Sequence, residues 1–198
     1  YGSVNVPVDV NYDLKPTSPY AVSKLAADLH LITLFNHSKF PMNIIRPCNC
    51  YGPGQLLYRI IPKAAFYFLN NMTFPLEGGG EAQKSFMHSR DLARAIHTIL
   101  VKGKMGEIYN AGVDKPTSMK EIIKITVDLM NKNFDEVVKV VEGRATEDKM
   151  YWLDSSKMHD LGWKPEISLR EGIKDTINWV VENNEKLKDA EKHFTLRA

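Results

Sequence analysis

Short apolar runs alternate with longer helical stretches along most of this 198-residue chain, and that alternation limits the folds open to it. Thr17-Ser18-Pro19 opens the first helical stretch: a hydroxyl cap followed by proline at the first turn, where the missing N–H costs nothing. Leu25, Leu29, Ile32 and Phe35 then recur at helical spacing, which predicts a helix to about Asn36. Met42 to Arg46 reads as a short strand stopped by Pro47, and Pro47 to Gln55 as a loop rich in turn formers. Further helices are predicted over about 60–70, 90–101 (capped by Ser89), 119–130 and 169–183. Ser118 with Glu121 has the spacing of a capping box. Strands are predicted at 107–110 and 137–142, a flexible turn at Gly78-Gly79-Gly80, and a charged, fraying tail after Asn184. Strands separated by helices favour an α/β fold with a largely parallel sheet.

Composition fits a folded globular protein: 43% of residues are hydrophobic and 25% charged. A net charge of +2, with basic residues spread along the chain, gives no reason to expect nucleic acid or a membrane surface as partner. No apolar run has the length of a membrane span, and YGSVNVPVDV lacks the charged and apolar regions of a signal peptide. Cys48 and Cys50, one residue apart, are too close in a strand for an easy disulfide and have no ligand-bearing neighbours for a metal. Buried free thiols in a reducing cytoplasm are the expectation, with no metal site.

Two local patterns carry chemistry. Tyr20 and Lys24 stand four apart at the start of a helix, so they share a face. An ammonium beside a phenol favours the phenolate, and such a pair can take a proton from a substrate hydroxyl. The same spacing also describes an ordinary exposed helix pair. The second pattern is the loop from Ile45 to Gln55, which follows a strand; open α/β sheets bind ligands beyond the carboxyl ends of their strands. Asn49 there offers both a donor and an acceptor, although Asn, Gly and Pro also serve tight turns for backbone reasons alone. His88 and His97 sit beside apolar residues, where packing or hydrogen bonding is the usual role.

Taken in order, these segments resemble the extended short-chain dehydrogenases/reductases of the NAD-dependent epimerase/dehydratase family, which act on nucleotide sugars. Tyr1-Gly2 is similar to the end of that family's Val-Tyr-Gly strand, and Asp13 to Lys24 to its Pro-x-x-Pro-Tyr-x-x-x-Lys run. Arg46 to Pro53 matches Arg-Pro-x-Asn-x-Tyr-Gly-Pro, and Tyr58-Arg59-Ile60-Ile61-Pro62 resembles the segment that contacts the nucleotide diphosphate. Phe86-x-His88-x-x-Asp91, Tyr109-Asn110-Ala111-Gly112 and Leu161-Gly162-Trp163-Lys164-Pro165 complete the series. The spacing from Arg144 to Tyr151 is closest to the dTDP-glucose 4,6-dehydratase branch.

The resemblance implies the C-terminal part of a Rossmann-type doubly wound parallel sheet plus a smaller α/β substrate-binding lobe. Residues 1–55 would end the cofactor domain, and 56–198 would be mainly the lobe, with about 86–112 returning to the sheet. It implies Tyr20 as acid/base, Lys24 and Pro47 at the nicotinamide end of NAD or NADP, and Asn49, Arg59, Ile60, Lys84 and Arg144 on the nucleotide sugar. Lys84 stands where many members have Arg, exchanging a bidentate fork for a point charge. The glycine-rich cofactor loop and the upstream catalytic Ser/Thr are not in this sequence, so the chain is expected to be the C-terminal part of a homodimeric cytoplasmic enzyme and inactive alone. Two other readings share the fold: a non-catalytic nucleotide-sugar or partner-binding protein, and an NADP-dependent reductase of a non-sugar carbonyl.

Overall fold

A computed structural model describes residues 1–143 and 150–192. In chain order the elements are α1 (Pro19–Ser38), β1 (Ile44–Pro47), β2 (Asn49–Tyr51), α2 (Ile60–Leu69), β3 (Phe74–Glu77), a 3-10 turn (Gly78–Gly80), β4 (Gln83–Lys84), β5 (Phe86–His88) and α3 (Ser89–Lys102). There follow β6 (Ile108–Ala111), β7 (Thr117–Ser118), α4 (Met119–Leu129), α5 (Phe134–Val137), β8 (Val138–Val141), β9 (Met150–Tyr151), α6 (Ser156–Asp160), α7 (Leu169–Glu182) and α8 (Asn184–Leu187). The chain divides into two compact units. One comprises Tyr1–Cys50, Lys84–Pro116 and Asp148–Glu166; the other comprises Tyr51–Gln83, Thr117–Glu147 and Ile167–Ala198.

In the first unit β1 and β6 pair in parallel, with Ile44 opposite Ile108 and Pro47 opposite Ala111. α1 begins where the sequence predicts: Ser18 is extended and its hydroxyl accepts from the Ala21 N–H at 3.2 Å. Lys39, in the left-handed region, ends it. Only residues 39–43 separate α1 from β1, so the helix runs back antiparallel to the strand. The core gathers Val4, Val8, Cys48, Met87, Ala95, Ile99, Tyr109, Ala111, Leu153, Met158 and Trp163. None of α1's residues, all of them described, is buried; Val22 and Leu29 are each 53% exposed.

α3 corrects one expected cap. Ser89 is its first residue, and His88 caps it, with Nδ1 accepting from the Arg90 N–H at 3.2 Å. Asp91, fully buried, then explains why the Phe-x-His-x-x-Asp and Leu-Gly-Trp-x-Pro runs occur together. Its Oδ1 accepts from Arg94 at 2.7 Å and from the Glu166 N–H at 3.1 Å, while its carbonyl accepts from the Trp163 indole at 3.1 Å. Arg94 also pairs with Glu166. The Asp therefore latches the segment that follows α6 onto the start of α3.

The second unit packs α2, α4 and α7 together beside the parallel pair β3–β8. Ile61, Ala64, Ala65 and Phe68 on α2, Ile122, Ile123 and Val127 on α4, and Ile173, Ile177 and Val180 on α7 recur at helical spacing and are buried. Ser168 and Glu171 form a complete capping box at α7. At α4 only the Ser118 half is made, to the Glu121 N–H. Asn184–Leu187 form the helical turn α8, and the last part of the tail expected to fray, residues 193–198, lies outside the described residues. Gly78–Gly80 is not a loose turn either: Gly80 is buried at φ +73°, and a Cβ there would lie 2.7 Å from the Lys120 nitrogen.

Candidate functional site

Tyr20 and Lys24 lie in the first two turns of α1, on one face. Tyr20 is 73% exposed and Lys24 is exposed too. Neither side chain has a hydrogen-bond partner among the described residues, so both are available to a ligand. Pro47 closes β1 at its carboxyl end, and Cys48 donates its N–H to the Ala111 carbonyl at 2.8 Å. The next residue, Asn49, is held through its backbone N–H to the Ser85 carbonyl at 3.2 Å. Its half-buried carboxamide has no partner among the described residues. The first unit thus contains the phenol, the ammonium, the strand end and the carboxamide, together with half-buried Lys84 in β4.

Arg59 and Ile60 belong to the second unit. Arg59 is exposed, precedes α2 at its N-cap position without a side-chain cap, and lies 5.3 Å from the Tyr58 ring centroid. Ile60 is the first residue of α2. Arg144 lies outside the described residues.

Behind the exposed pair stands a polar network that spacing alone does not reveal. Arg46 in β1 donates from Nε to Asp28 Oδ2 at 2.7 Å and from Nη1 to the Tyr1 hydroxyl at 2.6 Å. Tyr1 in turn donates to Asn110 Oδ1 at 2.8 Å, and Asn110, fully buried in β6, donates from Nδ2 to the Val8 carbonyl at 2.9 Å. Burial pulls the Arg46 guanidinium down, and its bonds to Tyr1 and Asp28 more than offset this, leaving it above its usual value. Tyr151 in β9 is a second half-buried phenol of the same unit. Burial pushes its phenol well above the tyrosine range, with the charges of Tyr1, Cys48 and Tyr20 adding and Arg46 opposing, so it remains a hydrogen-bond donor at neutral pH.

The thiols are free, as the spacing predicts. Burial first, then the charge of Cys50, raises Cys48 to about 12; burial raises Cys50 to about 11.

Tyr20 and Lys24 present two unengaged donors on one helix face, and Pro47 ends a parallel strand, so the residues present can accommodate a polar ligand there. Gly78–Gly80 does not fit the pyrophosphate end of a dinucleotide, since Gly80 is closed off by Leu76 and the Lys120 backbone.

The family model described as GDP-mannose 4,6 dehydratase matches residues 1–176. The chain belongs to this family. Its fold is accordingly that of the NAD-dependent epimerase/dehydratase enzymes, with mixed α/β structure and parallel strand pairs. The dTDP-D-glucose 4,6-dehydratase of Bos taurus is 37% identical over 196 residues, covering 96% of this chain and 55% of that protein. The solved structure of DesIV, the dTDP-glucose 4,6-dehydratase of Streptomyces venezuelae with NAD and TYD bound, is similar with a TM-score of 0.87 at 32% identity, covering 93% of this chain and 58% of that one. The dTDP-glucose 4,6-dehydratase of Bacillus anthracis in complex with NAD gives 0.89 at 28% identity, covering 94% and 60%. The chain spans about half the length of the curated relatives it matches.

Proposed function

We propose that this chain serves, within a full-length protein, as the acid/base and substrate-binding part of a nucleotide-sugar 4,6-dehydratase or epimerase. The observation that carries the reading is the Tyr20–Lys24 pair, exposed and unengaged on one face of α1, in the same unit as the strand end bearing Pro47 and Asn49. Bound NAD or NADP would supply the hydride acceptor for oxidation at C4 of the hexose. Lys24 would hold the nicotinamide ribose beside Tyr20, and Pro47 would line the nicotinamide. Tyr20 would take the C4 hydroxyl proton. The 4-keto group so formed acidifies the neighbouring C–H, which opens elimination or epimerisation as the second step. Asn49, Arg59, Ile60, Lys84 and Arg144 would bind the nucleotide diphosphate, the cations by charge and Asn49 by its carboxamide.

Residues 1–55 and about 86–112 would close the cofactor domain, and the remainder would be mainly the substrate lobe. The cytoplasm fits two free, unreactive thiols. Among the described residues no helix is long and apolar enough to cross a membrane. A homodimer fits the uncovered apolar residues of α1.

The test is turnover of dTDP-glucose by the full-length protein, followed by mass spectrometry for loss of water and by NMR for inversion. Either product, abolished by Tyr20→Phe, supports the reading. Nucleotide-sugar binding without turnover would favour a non-catalytic binding protein, and turnover of simple carbonyls alone would favour a reductase.

A further inference from the structure

The Arg46 network does more than fill the interior of the first unit. It joins four stretches of chain: the N-terminal segment through Tyr1, α1 through Asp28, β1 through Arg46 and β6 through Asn110. The Arg46–Asp28 pair is well shielded, with side chains 11% and 21% exposed. Arg46 also stacks on the Tyr1 ring, 5.1 Å from its centroid, and its Nη1 reaches the Val10 carbonyl at 3.4 Å. The partners of the guanidinium thus come from α1 and from the N-terminal segment.

Asp28 occupies a particular place on α1. Tyr20, Lys24 and Asp28 are spaced by four, so they follow one face of the helix. Lys24 is one turn from Asp28, about 6 Å along the axis, and Tyr20 is about 12 Å along it. Because α1 runs antiparallel to β1, both lie toward the strand's carboxyl end from the point where Asp28 meets Arg46. Nearer its C-terminal end α1 is held differently, by the Phe35 ring against Gly106, whereas the Asp28–Arg46 pair is the shielded ion pair that ties it to β1. Any roll or slide of α1 carries its reactive side chains with it. Displacement of a reacting group by about 1 Å can cost about a hundredfold in rate.

We infer that Asp28 and Arg46 are positioning residues for the proposed reaction: their ion pair fixes the roll and register of α1 against β1, and so sets where Tyr20 and Lys24 stand relative to Pro47 and Asn49. The inference rests on the enzymatic reading above. Neither residue touches substrate or cofactor; both act through the helix. Tyr1 completes the device by accepting from the guanidinium, and is itself held by its bond to Asn110.

The experiment is steady-state kinetics of the full-length protein on dTDP-glucose across a pH range, for the parent and for Asp28→Ala, Asp28→Asn and Asp28→Glu. The expected result is a fall in kcat of about ten- to a hundredfold in Asp28→Ala, with KM for the nucleotide sugar within about threefold. The pH profile of kcat should shift, because Tyr20 and Lys24 no longer meet the substrate hydroxyl in the parent geometry. Asp28→Glu, which keeps the charge, should recover most of the rate. Asp28→Ala combined with Arg46→Met should be no worse than the poorer single variant, since each breaks the same contact. Asp28→Asn preserves size and an acceptor oxygen, and carries the test if the alanine variant does not fold. Variants with the parent's kcat and pH profile would overturn the inference while the enzymatic reading stood. A parent without turnover would overturn that reading, and the inference with it, before any variant was compared.

Discussion

At the residue scale, the proposed acid/base role of Tyr20 makes a specific demand. Tyr20→Phe removes one oxygen from an exposed side chain, so folding stability should be unchanged within about 0.5 kcal/mol. The same change should lower kcat by at least about a hundredfold, the usual scale of a lost acid/base group, with KM little altered. Rapid-quench or steady-state assays beside urea unfolding would separate the two effects. The thiols make an opposite demand, for inertness. With Cys48 at about 12 and Cys50 at about 11, roughly one in ten thousand and one in a thousand molecules carry the respective thiolate at pH 8. Alkylation of the folded chain at pH 8 should therefore be at least about a hundredfold slower than in denaturant. The raised values also set the direction of a pH effect on stability. Below about pH 7 both states keep the thiols protonated, and the thiols add no pH dependence. Between about pH 8 and about pH 12 the unfolded chain loses these protons first, so stability should fall as pH rises. Urea midpoints at pH 8 and pH 10 for the parent and for Cys48→Ser with Cys50→Ser would show whether that slope belongs to the thiols.

At the scale of elements, local chemistry was legible wherever the signal was local. Ser18-Pro19 announced α1, and the Ser168–Glu171 pair formed the box at α7 that its spacing allows. The cap of α3 was not legible, because a histidine accepting a backbone N–H is not among the usual caps, and Ser89 beside it is. The glycine between Met105 and Glu107 shows how a packing constraint escapes periodicity. Gly106 has φ +82°, and a Cβ there would fall 2.2 Å from the Phe35 ring of α1. Gly106→Ala should therefore destabilise the chain by about 2 kcal/mol, from the left-handed backbone together with displaced Phe35. The loss should appear as faster amide exchange along α1 than along α2, α4 and α7. Equal exchange in all four helices would mean that Phe35 relaxes without disturbing its helix.

For the molecule as a whole, the order of motifs along the chain carried the family and fold, whereas the network that supports the candidate site could not be read in advance. Tyr1 and Asn110 are 109 residues apart, and nothing in a spacing pattern pairs them; only folding β1 beside β6 does. The same view bears on what the 198 residues do unaided. An NAD pyrophosphate needs several backbone N–H groups, usually at a glycine-rich loop opening a helix. Among the described residues the one glycine run, Gly78–Gly80, is closed by Leu76 and Lys120, and α1 begins with proline, which has no N–H to offer. What the chain presents for the proposed site is a phenol, an ammonium, a strand end and a carboxamide. The purified chain should therefore show no NAD-dependent turnover of dTDP-glucose, and calorimetry should find NAD affinity weaker by about a hundredfold or more than in the full-length protein, the scale set by losing two or more charge-assisted hydrogen bonds. Turnover or equal affinity in the chain alone would mean that a pyrophosphate cradle exists within these residues.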